Sequence, residues 1–184
     1  MSTAGTHEPK KILAPDPNPV KPHYTPPPNA CDGHCHVFGP AAKFPYAAKR
    51  SYTPEDAGRE RLAALHKHLG FSRAVIVQAS CHGTDNSAMM DALAHSNGAW
   101  RGVAMVKPDV SEKELEGLHA GGVRGARINF VAHLGGAPDM TAVNAVIERA
   151  LKGVDGCAAT YSAASADSNI AHVGAREPRE VGSD

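Results

Sequence analysis

The chain has 184 residues, 42% hydrophobic and 21% charged, so a single domain with a buried core is expected. Its 19 basic and 19 acidic side chains give a formal net charge of zero, which argues against a nucleic-acid or anionic-membrane surface as the main role. No apolar run approaches the roughly 20 residues of a membrane helix, and the N-terminus lacks the apolar segment of a secretory signal. Four cysteines without a CxxC pair favour a reduced, cytoplasmic protein.

The composition divides the chain into three parts. Residues 1–28 are rich in proline and predict a flexible, extended leader. Residues 29–152 alternate between strand-like and helix-like patterns. Residues 153–184 lose this periodicity and are dominated by small and charged residues, which predicts a disordered or aberrant tail.

The middle part predicts strand–helix units in chain order. Strands are expected at residues 30–38, 74–77, 102–106 and 123–130, and helices at residues 53–70, 85–95, 111–120 and 141–151. Thr53 is the predicted cap of the first helix and Gly70 its end, while Ser111 and Glu114 have the spacing of a capping box. The alternation predicts a parallel α/β sheet, either a small open sheet or the first four to five units of a partial (β/α)8 barrel. No glycine-rich phosphate loop follows any strand, which disfavours a nucleotide-binding fold.

A histidine pair at the end of the first predicted strand is the strongest chemical signal. His34 and His36 are two residues apart, so the two-residue period of a strand directs both to one face, with Cys35 facing the other way. Two imidazoles on one face can bind a metal ion, polarise a carbonyl or hold a carboxylate. Structural histidines that hydrogen-bond near a strand end are the alternative.

Other polar side chains follow the later strands, at the edge where parallel α/β folds gather functional groups. Ser80 follows the second strand, and Arg127 lies in the otherwise apolar fourth strand. Cations and hydroxyl donors together suit a small carboxylated substrate. A turn serine and a surface arginine are the alternatives. The helical histidines, including His66, are expected to face solvent.

Several motifs occur in an order that resembles a known family. Residues 31–40 read CDGHCHVFGP, residues 50–54 read RSYTP, residues 77–86 read VQASCHGTDN and residues 122–130 read GVRGARINF. Together they resemble the 2-pyrone-4,6-dicarboxylate lactonase branch of the amidohydrolase superfamily, within amidohydrolase family 2. The resemblance covers about residues 29–152.

This resemblance implies a distorted (β/α)8 barrel that opens a carboxylated lactone formed during aromatic-compound degradation, without a metal or other cofactor. It implies that His34 and His36 help to polarise the lactone carbonyl. It also implies that Tyr52, Ser80 and Arg127 contact the substrate carboxylates or carbonyl. Tyr161 is a weaker match to a substrate-contacting tyrosine after the fifth strand.

The sequence departs from the family pattern in two places. His133 stands where a second substrate-binding arginine is expected, and histidine lacks the bidentate fork of arginine. The pattern also requires a later histidine and an aspartate at an eighth strand as general base. Neither Asp167 nor His172 has the right placement for these roles, so we expect a C-terminally truncated family member that lacks the expected general base, and its activity stays open.

Three functions stay open at this point. The first is a hydrolase of a carboxylated lactone. The second is a zinc-dependent amidohydrolase or decarboxylase with His34 and His36 as two Zn²⁺ ligands. The third is a non-catalytic half-barrel that is unstable, or stable only as a dimer. Metal content separates the first two functions, and cooperative unfolding separates both from the third.

Overall fold

A computed structural model describes residues 8–129, residues 139, 141, 144, 145 and 148, and the backbone of residues 158–162. The strands are β1 (Lys10–Lys11), β2 (Cys31–Cys35), β3 (Tyr52–Thr53), β4 (Arg73–Val77), β5 (Trp100–Met105), β6 (Val123–Asn129) and β7 (Ala158–Ser162). The helices are α1 (Arg59–Leu69), α2 (Ser87–Ala94) and α3 (Glu112–Ala120). Within these ranges no helix has the length and apolar character to cross a membrane.

Five strands form one parallel sheet in the order β2-β4-β5-β6-β7. Every strand of this sheet pairs with the next one along the chain, and α1, α2 and α3 occupy the first three connections. A doubly wound sheet reverses its strand order near the middle, whereas a (β/α)8 barrel adds strands consecutively. The order therefore confirms the predicted α/β fold with the first strands of a partial barrel.

The core lies between this sheet and its helices. Ile76 of β4 and Met89 of α2 are fully buried, and Leu93 of α2 packs with Trp100 of β5 in the same cluster. Gly102 on β5 has a specific packing role, since a Cβ there would lie 2.8 Å from Cδ1 of Leu93. Its missing side chain lets α2 approach the sheet closely.

The first helix begins later than the sequence predicts. α1 starts at Arg59 after Gly58, without a side-chain cap, so the prediction that Thr53 caps this helix is wrong. Thr53 instead lies in β3, beside Lys11 of β1 in a two-stranded parallel sheet. Backbone hydrogen bonds between Phe38 and Ala57 also hold the intervening chain extended. These pairings satisfy the backbone groups that a longer helix would have used.

Two other predicted helix ends agree with the structure. Gly70 follows α1 with φ of 88°, the left-handed conformation that glycine adopts easily. The Ser111 side chain accepts the amide of Glu114 at 3.2 Å and caps α3. Both ends were predictable because their signals are local.

The outer parts of the chain are described only in places. Residues 10–11 of the predicted leader form β1, and residues 12–30 contain no helix or strand. Residues 141, 144, 145 and 148 are helical, and the other residues of the predicted helix 141–151 lie outside the described residues. β7 falls within the predicted tail and continues the sheet beside β6. The three-part domain division itself stays a prediction.

Candidate active site

The two histidines of the first strand lie side by side at the carboxyl edge of the sheet. The ring centroids of His34 and His36 are 5.1 Å apart with the planes nearly perpendicular. His34 is exposed, while His36 is partly buried next to Phe38, with 5.9 Å between the ring centroids. Cys35 packs instead against the core on the helix side of the sheet.

The surroundings of His36 define its proton positions. Its Nδ1–H donates to the carbonyl oxygen of Val77 at 2.7 Å, since a carbonyl can only accept. Burial lowers the pKa of His36, with His34 and Arg127 adding to the effect. The favoured form is therefore a neutral imidazole whose Nε2 carries a free lone pair. This nitrogen can accept a proton from water or bind a metal ion.

Two hydroxyl groups meet near the end of β4. The Tyr52 phenol lies close enough to Ser80 and Cys81 for both residues to influence its pKa. Ser80 begins a short 3₁₀ turn directly after this strand. Burial raises the pKa of Tyr52, so its phenol keeps its proton and can donate a hydrogen bond. Together the two hydroxyls can donate to a carbonyl or carboxylate oxygen.

Arg127 contributes the cation of the site from β6. Its Nη1 donates to the Gln78 carbonyl oxygen at 3.0 Å, while its buried Nε has no hydrogen-bond partner among the described residues. Burial lowers the pKa of Arg127, and the nearby Tyr52 opposes this effect. A partly buried guanidinium with an unused N–H is suited to receive a carboxylate.

Some strand-end residues have structural roles instead. The Gln78 side-chain amide donates to the carbonyl oxygens of Gly83 at 3.1 Å and Asp85 at 2.7 Å, which closes the loop after β4. His82 is buried; its Nε2 accepts the amide of Gly39 at 3.2 Å, so its Nδ1–H donates to the Pro45 carbonyl at 3.3 Å. Gln78 and His82 therefore hold the loops around the site through hydrogen bonds to backbone groups.

The expectation that His66 faces solvent is wrong. His66 is only 3% exposed, and its Nε2–H donates to Oδ2 of Asp32 at 3.0 Å. Helical periodicity alone did not identify this contact, because the partner lies in a strand far along the sequence. Asp32 lies in the same short motif as His34, which could have drawn attention to it. No feature of the sequence distinguishes His66 from the other helical histidines.

The structure leaves two predicted site positions without a side-chain description. Tyr161 lies on β7 with its backbone beside Ile128 of β6, and His133 lies outside the described residues. Thus His34, His36, Tyr52, Ser80 and Arg127 come together at one edge, and Tyr161 stays a prediction.

A metal ion at the histidine pair would need further ligands. Within the described residues, the side chains that gather three ligand atoms within 4.8 Å are Asp32, Cys35 and His66, behind the strand. His34 and His36 provide two imidazoles, which fit part of a zinc site, but that part of the chain offers them no third ligand.

A cavity of about 500 Å³ is lined by His36 together with residues of α1 and of the leader. The leader segment 15–19 forms one wall, and Phe38, Leu62 and Leu65 supply apolar surface. Tyr52, Ser80 and Arg127 do not line it. The cavity and the polar site therefore share His36 but are otherwise separate.

Comparison with known proteins identifies relatives of the same kind. The chain is 56% identical over 117 residues to a 2-pyrone-4,6-dicarboxylate hydrolase from Comamonas testosteroni, covering 64% of this chain and 38% of the relative. It is 38% identical over 113 residues to a 4-sulfomuconolactone hydrolase from Hydrogenophaga intermedia, covering 61% of this chain and 37% of the relative. The chain thus spans less than half the length of these curated relatives.

A solved structure supports the same relationship. The crystal structure of a probable 2-pyrone-4,6-dicarboxylic acid hydrolase from Acinetobacter baumannii with citric acid bound has a TM-score of 0.61 and 26% identity. The match covers 73% of this chain and 49% of that one. The amidohydrolase family pattern matches residues 31–152, about two thirds of the sequence. This chain belongs to the amidohydrolase family.

Proposed function

We propose that this chain carries the substrate-binding part of a hydrolase site for a carboxylated lactone such as 2-pyrone-4,6-dicarboxylate. The observation that carries the proposal is the partly buried Arg127, whose Nε lacks a partner among the described residues and whose charge acts on His36 and Tyr52. A guanidinium held near a neutral imidazole and a phenol matches a substrate with both a carboxylate and a reactive ester carbonyl.

Each group has a chemical role in this proposal. Arg127 binds a carboxylate of the ring. Tyr52 and Ser80 donate hydrogen bonds to the lactone carbonyl, where negative charge develops as water attacks. Nε2 of His36 accepts a proton from that water, because Nδ1 is already engaged with Val77. The bond between the carbonyl carbon and the ring oxygen then breaks, and His36 returns the proton to the departing oxygen. His34 lies against His36 and supports its ring orientation.

The base assigned here differs from the one that the family resemblance implies. The resemblance assigns this role to an aspartate on an eighth strand, and we assign no residue of this sequence to that position. His36 is the base that the described part of the chain itself offers. The relatives named as lactone hydrolases support the substrate class, while the exact lactone depends on contacts outside the described residues.

The proposal is tested by following lactone ring opening spectrophotometrically with 2-pyrone-4,6-dicarboxylate and with lactones that lack carboxylates. We expect turnover of the carboxylated lactone that a chelator does not change. His36→Gln should abolish it, whereas His95→Gln, which changes an exposed histidine directly after α2, should not. Absence of turnover from folded wild-type chain would overturn the hydrolase proposal.

A zinc-dependent amidohydrolase or decarboxylase is the second candidate. The free lone pair on Nε2 of His36, beside the imidazole of His34, favours it, since zinc binds neutral imidazole nitrogen. Loss of activity with a chelator, and its return with Zn²⁺, would support this candidate over the metal-free one. Stoichiometric metal that His34→Ala removes would support the same assignment.

The wider setting of the protein stays a prediction. We propose a cytoplasmic protein that binds a small carboxylated substrate, binds no nucleic acid and can form a homo-oligomer. Light scattering coupled to size-exclusion chromatography tests the oligomeric state. A non-catalytic fragment would be indicated by non-cooperative unfolding in urea.

A further inference from the structure

The first strand of the sheet contains a β-bulge between Asp32 and Cys35, where the histidine pair begins. Asp32 pairs with Ala74 of β4, and Cys35 pairs with Ile76. Asp32 and Cys35 are three residues apart on β2, whereas their partners on β4 are two residues apart. β2 therefore contains one residue more than β4 over this stretch, at positions 33–34. Ala74 and Ile76 share the core face of the sheet, and Asp32 and Cys35 share it with them.

The bulge decides which face the histidines occupy. In a regular strand Asp32, His34 and His36 would all lie on one face, because they are separated by two residues. Asp32 faces α1, so a regular strand would also direct both histidines towards the helix layer. The extra residue shifts the alternation by one, which places His36 on the opposite face with Cys35 in the core.

Asp32 satisfies the backbone group that this bulge leaves outside the ladder. A bulge removes one residue from regular pairing, and its N–H then needs another acceptor. Oδ1 of Asp32 accepts the amide N–H of His34 at 3.1 Å. Gly33 between them has open space around its Cα, so the turn of the chain is free of steric conflict.

His66 fixes the other oxygen of the same carboxylate. Its Nε2–H donates to Oδ2 of Asp32 at 3.0 Å, and its ring lies edge-on to Trp100 with 5.9 Å between centroids. Phe71 contacts the imidazole from a second direction, again at 5.9 Å. Because His66 is buried on α1, it holds Asp32 in one orientation relative to the sheet.

Asp32 and His66 also belong, with Cys35, to the three-residue cluster behind the strand, and most polar atoms of that cluster have protein partners. Both oxygens of Asp32 accept hydrogen bonds, and the Cys35 thiol donates to the Val75 carbonyl at 3.5 Å. Burial and the Asp32 charge raise the pKa of Cys35 to about 12, which keeps the thiol protonated. Within this cluster Nδ1 of His66 has no hydrogen-bond partner among the described residues, while Asp32 and Cys35 are engaged by protein groups.

From this geometry we propose that Asp32 and His66 are positioning residues, which hold the bulge in β2 and thereby direct His34 and His36 into the active site. Neither residue touches substrate in this assignment. The inference deepens the proposed function, on which its importance for catalysis rests, while the effect on the histidine rings is independent of activity.

The direct test is NMR spectroscopy of the histidine side chains, with His34 and His36 assigned through their own variants. We expect wild-type His36 to show the neutral form protonated at Nδ1. Asp32→Ala and His66→Ala should give a mixture of tautomers for His36 and return its titration towards that of an exposed histidine. His66→Gln, which keeps a side-chain N–H donor, should restore much of the wild-type signal.

The control separates positioning from general destabilisation. Leu115→Ala removes a buried side chain of α3, away from the bulge, and should lower stability without changing the His36 tautomer. If Asp32→Ala does not fold, the pair His66→Ala and His66→Gln gives the same comparison. Wild-type His36 signals in His66→Ala, at a temperature where that variant is folded, would contradict the proposal.

Activity measurements distinguish this inference from the proposed function. Where the wild type hydrolyses a lactone, Asp32→Asn and His66→Ala should lower kcat by roughly 10- to 100-fold with KM little changed, because the binding groups remain. A raised KM with unchanged kcat would contradict the proposal that these residues position the histidines. If the wild type binds no carboxylated lactone but the variants still alter His36, the function fails and the positioning role stands.

Discussion

The two ends of the candidate site, at β2 and at β6, are held in different ways. At β2 the histidine pair follows a bulge whose amide is bound by Asp32, and Asp32 is held in turn by buried His66. At β6 the guanidinium of Arg127 has one hydrogen bond, to the Gln78 carbonyl, and a buried Nε without a partner among the described residues. We therefore propose that the β2 end is fixed before substrate arrives, while the β6 end is completed by the substrate's carboxylate.

The largest expected effect is on stability, at the β2 end. Asp32→Ala leaves the buried His66 and the bulge amide without their acceptor, and we expect the free energy of unfolding to fall by about 3 kcal/mol. Arg127→Met removes a partly buried charge that lacks an ion-pair partner among the described residues, and should change stability by less than about 1 kcal/mol. Urea unfolding of both variants measures the contrast. Equal losses would mean that the two ends are supported alike.

The next effect concerns the hydroxyl pair between the two ends. Tyr52→Phe removes one donor to the developing carbonyl charge and should lower kcat/KM by roughly tenfold, the equivalent of one hydrogen bond. Tyr24→Phe is a matched control, because Tyr24 is 70% exposed on the leader. Steady-state kinetics on both variants provides the measurement. An equal loss of kcat/KM in Tyr24→Phe would contradict the role of Tyr52 as a hydrogen-bond donor to the carbonyl.

The pH dependence of stability sharpens the same comparison. Burial lowers the pKa of His36 and His82 below the ordinary value of 6.5, so the unfolded chain binds protons more readily than the folded one. Their contribution to stability is complete above pH 6.5 and is lost as the pH falls through the folded pKa values. Urea unfolding at pH 7.5 and at lower pH should show this decline, and His82→Gln should reduce it. Stability that rises on acidification would contradict the assignment.

The smallest effect is on thiol reactivity along β2. Cys31 is exposed, whereas Cys35 is partly buried with a pKa of about 12, and Cys81 is fully buried. Alkylation at neutral pH followed by peptide mass spectrometry should label Cys31 well before Cys35 and Cys81. Rapid labelling of Cys35 would show that the bulge opens readily, and would weaken the picture of a fixed β2 end.

The local signals in the sequence predicted the fold better than the long-range contacts. The apolar run before Gln78 and the cap at Ser111 each specified an element, and the strand–helix alternation specified the parallel sheet. The start of α1 was misplaced because the pairings of Thr53 with Lys11 and of Phe38 with Ala57 depend on distant residues. Long-range pairing of this kind leaves no periodic trace in the sequence.

The candidate site was predictable to a similar extent. The spacing of His34 and His36 pointed to a shared face, and the structure brings their rings together, but through a bulge that a regular two-residue period does not include. The support from His66 could not be predicted, since a single helical histidine gives no indication of its partner. The roles of the site residues in catalysis remain predictions.

The most direct test of the account is calorimetric binding of 2-pyrone-4,6-dicarboxylate to the wild-type chain and to Arg127→Met. The account predicts measurable binding to the wild type and an affinity roughly 10- to 100-fold weaker in the variant, because a charge-assisted contact is lost. Arg101→Met changes an arginine on β5 that bonds to nearby carbonyl groups, and should leave the affinity unchanged. Equal affinity of Arg127→Met and wild type would contradict the central claim that Arg127 receives the carboxylate.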